Sequence, residues 1–306
     1  MLTPLDFLND LTNPLLVFLP KALFVSVLSA LVCAVVGTHV VLRGMTFIGD
    51  AVAHAVFPGI AVAFVLQGSL LLGGVIAGVL TAVLIALFGQ HRRLREDSVI
   101  GVFFVAAFAL GIVIMSRAPG YAGSLQSFLF GSITGIPDGT LVLSAVFAAG
   151  VLLVLMFMHR DLVAVGMDRG YAAAIGLPVL MLDVLLSVLV TLAVVMSIQT
   201  IGNILVIALL VTPAATARLL TERVVPMMAL AATTGAVSAV LGIYLSWSLD
   251  LPTGGTIVLV TTLLFVLAWL LSPRHGVLRM LMSGRRASVK VSDDAPKPEA
   301  AAAPVA

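Results

Sequence analysis

Two ionisable side chains stand one helical turn apart in an apolar stretch near the start of the chain. Asp50 and His54 lie in the segment RGMTFIGDAVAHAVFPG, residues 43–59. On an α-helix, residues four apart project from the same face. A carboxylate oxygen and a neutral imidazole nitrogen at that spacing can hold a divalent transition metal. The same spacing suits a structural Asp–His contact that fixes a helix end, and the residues alone leave both interpretations open.

The surroundings of this pair affect what it can bind. Pro58 follows His54 by four residues, so the carbonyl of His54 loses its helical donor and the helix is expected to bend there. One chain offers only two side-chain ligands, whereas a two-fold dimer with both helices on its axis would offer four. Mixed oxygen and nitrogen ligands suit manganese, zinc or ferrous iron and do not select among them.

The composition places this segment in a membrane. Of 306 residues, 61% are hydrophobic and 10% are charged, and the mean hydropathy is +1.22. Soluble proteins carry about 25% charged residues, and a soluble fold of this size could not bury so much apolar surface. These values exclude a water-soluble enzyme, a secreted disulfide scaffold and a disordered chain. The net charge of +2 gives no indication of nucleic-acid binding.

Nine apolar runs approach the length of about 20 residues that a bilayer requires. They are roughly 22–42, 51–66, 70–88, 99–116, 140–158, 178–197, 201–220, 225–249 and 255–271. Because prolines interrupt the second and seventh runs, we predict an all-α polytopic membrane protein with eight or nine spans. Residues 1–21 form an interfacial segment, 22–272 the transmembrane domain, and 273–306 a cytoplasmic, largely disordered tail.

Basic residues occur in alternate connections, which sets the orientation. The connections 90–98 and 159–177 and the C-terminus are placed in the cytoplasm, with the N-terminus outside. The sequence contains no GxxxxGK[ST] phosphate-binding loop. We therefore expect no enzymatic activity in this chain, and any ATP hydrolysis that drives transport belongs to another subunit.

Two further segments carry polar residues of interest. Residues 161–178 are too polar to cross a bilayer and predict a short cytoplasmic helix that ends at Gly176. Such a helix either docks into a partner's groove or lies on lipid headgroups, and the local pattern favours neither. Residues 196–220 hold uncharged polar groups and a proline that either join helices or line a pathway. The pathway or gate candidates are Gln199, Asn203, Thr212 and Pro213.

Four blocks of the sequence resemble permease subunits of bacterial ATP-binding-cassette (ABC) importers for zinc and manganese. They are RGMTFIGDAVAHAVFPGIAVAF (43–64), MDRGYAAAIGLPV (167–179), SIQTIGNILVIALLVTPAATARLL (197–220) and DLPTGGTIVLVTTLLF (250–265). They follow the family's order and spacing, so the resemblance covers roughly 22–271. It implies a multi-pass protein of the bacterial plasma membrane. The implied fold is that of cobalamin- and siderophore-type importer permeases, with one leading helix fewer.

The resemblance also implies roles for particular residues. Asp50 and His54 correspond to the acid and histidine that bind the transported zinc or manganese along the path. A cytoplasmic coupling helix at about 161–176 corresponds to the family's contact with the ATPase. The contact residues so implied are Asp168, Arg169, Tyr171, Ala172 and Gly176. Family members often carry Leu-Asn where this chain has Leu182 and Asp183, so Asp183 inherits no role.

The partners implied are a second permease, a cytoplasmic ABC ATPase dimer and an extracytoplasmic metal-binding protein. The second permease is a copy of this chain or a close paralogue. No permanently bound cofactor is expected, only the transported metal. Two other functions remain open. A permease for a chelate such as haem or a siderophore would use Asp50 and His54 structurally, and a proton-coupled secondary carrier would use them as a relay.

Overall fold

The computed structural model describes residues 4–89, 96–117 and 138–272. The predicted tail, 273–306, lies outside these ranges. In the described ranges the regular elements are all helical. After α1 (Pro4–Thr12) and a 3-10 turn (Pro14–Leu16) come α2 (Phe18–Leu42), α3 (Ile48–Ala55), α4 (Phe57–Val65), α5 (Leu70–Phe88) and α6 (Glu96–Met115). The remainder are α7 (Asp138–Met167), α8 (Arg169–Ala174), α9 (Val179–Ile201), α10 (Asn203–Leu220), α11 (Val224–Leu249) and α12 (Thr253–Leu271).

Within the described ranges, eight spans are long and apolar enough to cross a membrane. The pair α3–α4 counts as one span, and α2, α5, α6, α7, α9, α11 and α12 supply the others. The apolar part of α10, Leu205–Leu220, is shorter. The prediction of an all-α polytopic protein with eight or nine spans is therefore confirmed.

Helix α2 lies at the centre of the bundle, against α7, α9, α10 and α11. Because neighbours cover every side of it, its apolar residues surround the helix instead of forming one stripe. At Gly37 it packs directly against the backbone of α10, where an added Cβ would overlap the carbonyl oxygen of Leu210. Small residues at such crossings let helices in lipid approach closely.

Two breaks interrupt the helices where the sequence carries helix-breaking residues. α3 ends at Ala55 and α4 begins at Phe57, with Pro58 in its first turn. Gly202 separates α9 from α10 with φ +82° and ψ 162°, a conformation that glycine adopts readily and other residues rarely. The pairs α3–α4 and α9–α10 are therefore discontinuous helices.

Contacts between helix ends define the two ends of the bundle. Arg218 of α10 donates a hydrogen bond to the carbonyl of Val41 at 2.7 Å, which brings the ends of α10 and α2 together. We call this the basic end, defined by Arg43, Arg169 and Arg218. At the opposite end, the indole N–H of Trp247 donates to Asp10 at 2.9 Å and holds α1 against α11.

The segment 161–176, predicted as one coupling helix, is divided between two helices. α7 continues to Met167, since residues 161–167 contain no proline and the single Gly166 is tolerated within the helix. Asp168 is the N-cap of α8, and its carboxylate accepts a hydrogen bond from the backbone N–H of Tyr171 at 3.0 Å. Gly176, at φ +84°, follows the helix. The separate short helix is thus α8 alone.

The closeness of α2 and α10 predicts that Gly37→Ala destabilises the protein. The added methyl group overlaps the carbonyl of Leu210 and forces two buried backbones apart, at a cost of about 1–3 kcal/mol or more. We expect a lower thermal unfolding temperature in detergent. Gly150→Ala on α7 is the control, because no atom lies within 4 Å of its added Cβ. Equal unfolding temperatures for the two variants would contradict the packing described.

Candidate metal site

Asp50 and His54 lie on one face of α3, as their spacing predicts. Nε2 of His54 is 3.4 Å from Oδ1 of Asp50. Metal–ligand bonds to N and O are about 2.0–2.2 Å, so two such ligands at a near-tetrahedral angle are about 3.4 Å apart. The observed separation therefore suits a shared cation without rearrangement of the helix.

Two aromatic rings of α6 hold the imidazole of His54. Phe104 and Phe108 meet it edge to face, with ring centroids 5.0 and 4.9 Å away. Its Nδ1 is buried and has no hydrogen-bond partner among the described residues. Nε2 is the nitrogen that faces Asp50. The rings thus fix the orientation in which His54 and the carboxylate can act together.

The position of α3 is itself set by close packing. It lies against α5, α6, α9 and α10. Next to Asp50, a Cβ at Gly49 would lie 2.3 Å from a methyl carbon of Leu210. Leu210 also contacts Gly37 through its backbone. Leu210 of α10 therefore packs against both α2 and the start of α3.

The described residues bring two candidate ligands together. Within the described ranges, no group of three or more His, Cys, Asp or Glu side chains could hold an ion. The side chain of Asp50 is 39% exposed, whereas that of His54 is 19% exposed. The carboxylate is therefore accessible to an ion and to further ligands from outside the packed core.

The candidate pathway residues are placed only in part. Pro213 is buried within α10. The carbonyl of Thr212 accepts a hydrogen bond from the hydroxyl of Thr216 at 2.7 Å. Gln199 and Asn203 flank the break at Gly202, but their side chains are outside the described structure. A role of these residues in a pathway or gate stays a prediction.

The predicted ATPase contacts on and around α8 differ in exposure. Ala172 is completely buried and packs α8 against the rest of the protein, whereas Tyr171 is 60% exposed. Met167 and Ile175 are exposed on the same segment, each four residues from Tyr171. Arg169 is also exposed. The basic end therefore exposes three large apolar side chains, of which the sequence analysis named Tyr171, and the role of the predicted residues as ATPase contacts stays a prediction.

Sequence reasoning also left Asp183 without a role. This buried carboxylate contacts Arg43 at the end of α2 and lies 3.0 Å from Nη2 of Arg169 on α8. An ionisable residue early in a span is a signal of function. Its partners, however, are remote in sequence or lie across a connection, so the sequence did not identify them.

Eight apolar helices long enough to cross a bilayer, in the part of the chain that the structure describes, define a multi-pass membrane protein. Residues 16–272 match the ABC 3 transport family. The chain belongs to that family, and it is the permease subunit of a bacterial ABC importer whose ATP hydrolysis takes place in a separate subunit. The family, the fold and the bacterial membrane location predicted from the sequence are confirmed.

Curated relatives support this assignment. The chain is 42% identical over 270 residues to the manganese transport system membrane protein MntC of Halalkalibacterium halodurans, covering 88% of this chain and 92% of that one. It is 39% identical over 261 residues to the chelated iron transport system membrane protein YfeC of Yersinia pestis, covering 85% and 88%.

Solved structures agree with the fold. PsaBC from Streptococcus pneumoniae, in complex with Fab, matches with a TM-score of 0.81 and 32% identity, covering 91% of this chain and 99% of that chain. A structure described as an inward-facing metal-chelate type ABC transporter matches with a TM-score of 0.61 and 19% identity, covering 78% and 84%. The second likeness concerns the fold alone.

The geometry of α3 predicts which side chains bind a metal. Asp50→Asn and His54→Gln should each lower the affinity of the purified permease for Mn²⁺ by about 10-fold or more, since each removes a ligand. Titration calorimetry in detergent measures the effect. Asp250→Asn is the matched control: Asp250 ends α11 at the opposite end of the bundle in the left-handed conformation, which Asn also adopts. Unaltered affinity in both site variants would remove the assignment.

Proposed function

We propose that this permease carries a divalent transition-metal ion, foremost manganese, into the cell by way of Asp50 and His54. The separation of 3.4 Å between His54 Nε2 and Asp50 Oδ1 carries the proposal. The name of the MntC relative, a manganese transport protein, supports the choice of metal. Zinc takes the same nitrogen and oxygen ligands and stays compatible with the site.

The site is completed by a second permease, either a copy of this chain or a close paralogue. The outward exposure of Asp50 supports this arrangement. Two carboxylates neutralise the charge of a divalent ion and so reduce the large cost of placing it in low dielectric. Binding stays modest, because an ion held too tightly would not leave.

The exposed apolar side chains on and beside α8 form the docking surface for the cytoplasmic ATPase dimer. Exposed apolar side chains at the basic end of the bundle are typical of a protein interface. Tyr171 of α8, with Met167 at the end of α7 and Ile175 just after α8, makes the contact, and Ala172 anchors the helix from behind. The guanidinium of Arg169 reaches Asp183 instead, so Arg169 is not assigned to this contact. Asp168 caps α8 and Gly176 allows the chain to turn after it, so these two residues shape the surface.

ATP binding in the partner then switches the path between its two open states. The breaks at Val56 and Gly202 are the places where the helices can bend. Gln199 and Asn203 flank the second break, Thr212 and Pro213 lie about three turns further along α10, and the four residues form a gate. An extracytoplasmic metal-binding protein delivers the ion to the opposite end of the bundle.

Transport measurements test the cargo. The assay uses proteoliposomes that contain the permease, its ATPase and its binding protein, with ATP supplied on the side of the membrane where the ATPase is bound. Asp50→Asn and His54→Gln should each reduce uptake of radioactive manganese by about 10-fold or more. Co-purification of the ATPase should not change, and Asp250→Asn should transport normally.

Other outcomes identify the competing functions. Normal manganese uptake in both site variants would contradict the proposal. Uptake of haem or a siderophore that survives both substitutions would indicate a chelate permease. Uptake that a proton ionophore abolishes while ATP is still hydrolysed would indicate a proton-coupled carrier.

The docking surface makes a separate prediction. Tyr171→Ser and Ile175→Ser should weaken co-purification of the ATPase by about 10-fold, because each removes a large apolar contact. Val225→Ser is the control, since Val225 is 65% exposed at the start of α11 near the same end. Metal affinity should be unaltered in all three variants. Equal ATPase recovery from all three would show that α8 is not the docking surface.

A further inference from the structure

Asp183, in the first turn and a half of α9, joins two arginines that belong to different parts of the chain. Its Oδ1 contacts Nη1 of Arg43, and its Oδ2 lies 3.0 Å from Nη2 of Arg169. The side chains of Asp183 and Arg43 are only 9% and 4% exposed, whereas that of Arg169 is 45% exposed. One buried carboxylate therefore binds an inner and an outer arginine at the same time.

The inner arginine lies beside the metal-site helix. Arg43 ends α2 and stands five residues before Ile48, where α3 begins. Its second terminal nitrogen is 3.5 Å from the carbonyl of Leu162 on α7. Arg43 thus fixes the end of α2, the neighbouring turn of α7 and the start of the connection that leads to Asp50.

The outer arginine lies on the short helix at the basic end. Arg169 is the first residue of α8. Arg169 and Asp183 line a cavity of about 20 Å³ together with Met45, which belongs to the connection between α2 and α3. Such a cavity has room for about one water molecule. Arg169 and Asp183 thus adjoin the connection between α2 and α3 across a space about the size of one water molecule.

The two ion pairs differ in how easily they break. Separation of a buried pair leaves an uncompensated charge and is strongly unfavourable, so Arg43 and Asp183 stay together. An ion pair with a half-exposed partner is weak, because water competes for it. Arg169 can therefore leave and rejoin Asp183 while the inner pair remains intact.

We propose that Asp183 is a positioning residue that transmits movement of α8 to the connection before Asp50. When the ATPase displaces α8, Arg169 pulls on Asp183 or releases it, and Arg43 conveys the change to α3. This inference depends on the proposed function, since it concerns how ATP hydrolysis is coupled to metal transport. It gives a role to Asp183 that neither the sequence pattern nor its burial alone would indicate.

Arg169→Ala tests the link with little risk to folding, because it leaves the buried pair intact. In proteoliposomes with the cognate ATPase and binding protein, we expect the ATPase to stay bound and to hydrolyse ATP. The manganese transported per ATP should fall by about 5-fold or more. Arg169→Lys should restore most of the ratio, because lysine keeps a charged donor. Arg160→Ala is the control: it removes an exposed arginine from α7 and should leave the ratio unaltered.

A second variant removes the link from its buried side. Arg43→Met combined with Asp183→Leu replaces the inner pair by apolar side chains, an exchange that buried ion pairs often tolerate. The double variant should assemble and show the same loss of manganese transported per ATP. Adding Arg169→Ala to it should cause no further loss, because the three residues act in one chain of contacts.

Each outcome has a defined meaning. An unaltered ratio of manganese to ATP in Arg169→Ala overturns the inference, since the link would then be structural only. Loss of ATPase binding in Arg169→Ala also overturns it, because Arg169 would then be a direct ATPase contact. Failure of the proposed function looks different: the unmodified complex itself would hydrolyse ATP without taking up manganese.

Discussion

Charged groups are costly inside a membrane, and the bundle is organised around the few that it contains. Asp50 lies beside His54, and Asp183 lies between two arginines. These two arrangements differ in burial and in partners. Asp183 is buried between two arginines and so joins helices, whereas the carboxylate of Asp50 is partly exposed, which supports the proposal that it binds the transported metal.

Close packing against α10 positions the helix that carries Asp50. Leu210 meets Gly37 through its carbonyl oxygen and Gly49 through its side chain, so α2, α3 and α10 share one contact point next to Asp50. In lipid, helices gain little from the hydrophobic effect and associate through such contacts between small residues. α10, which begins directly after the break at Gly202, therefore contacts the helix of Asp50 without an intermediary.

Contacts of different exposure attach α8 to the rest of the protein. The ion pair of Arg43 with Asp183 is buried and joins the end of α2 to the first turns of α9. α8 is attached through the buried Ala172 and through the half-exposed Arg169, which reaches Asp183. In the proposed coupling, the ATPase moves α8, and the contacts of Arg169 with Asp183 and of Asp183 with Arg43 carry the movement toward α3.

Local features were determined by the sequence itself. The spans, the pairing of Asp50 with His54 and the end of the short helix at Gly176 follow from spacing along one helix or one turn, which covalent geometry fixes. The aromatic contacts of His54, the burial of Ala172 and the partners of Asp183 were decided only by the tertiary structure. Arg43 and Asp183 are 140 residues apart, and nothing in the sequence around either residue indicates that the end of α2 and the start of α9 will meet. Periodicity shows that a residue is on a face, but only packing decides what that face meets.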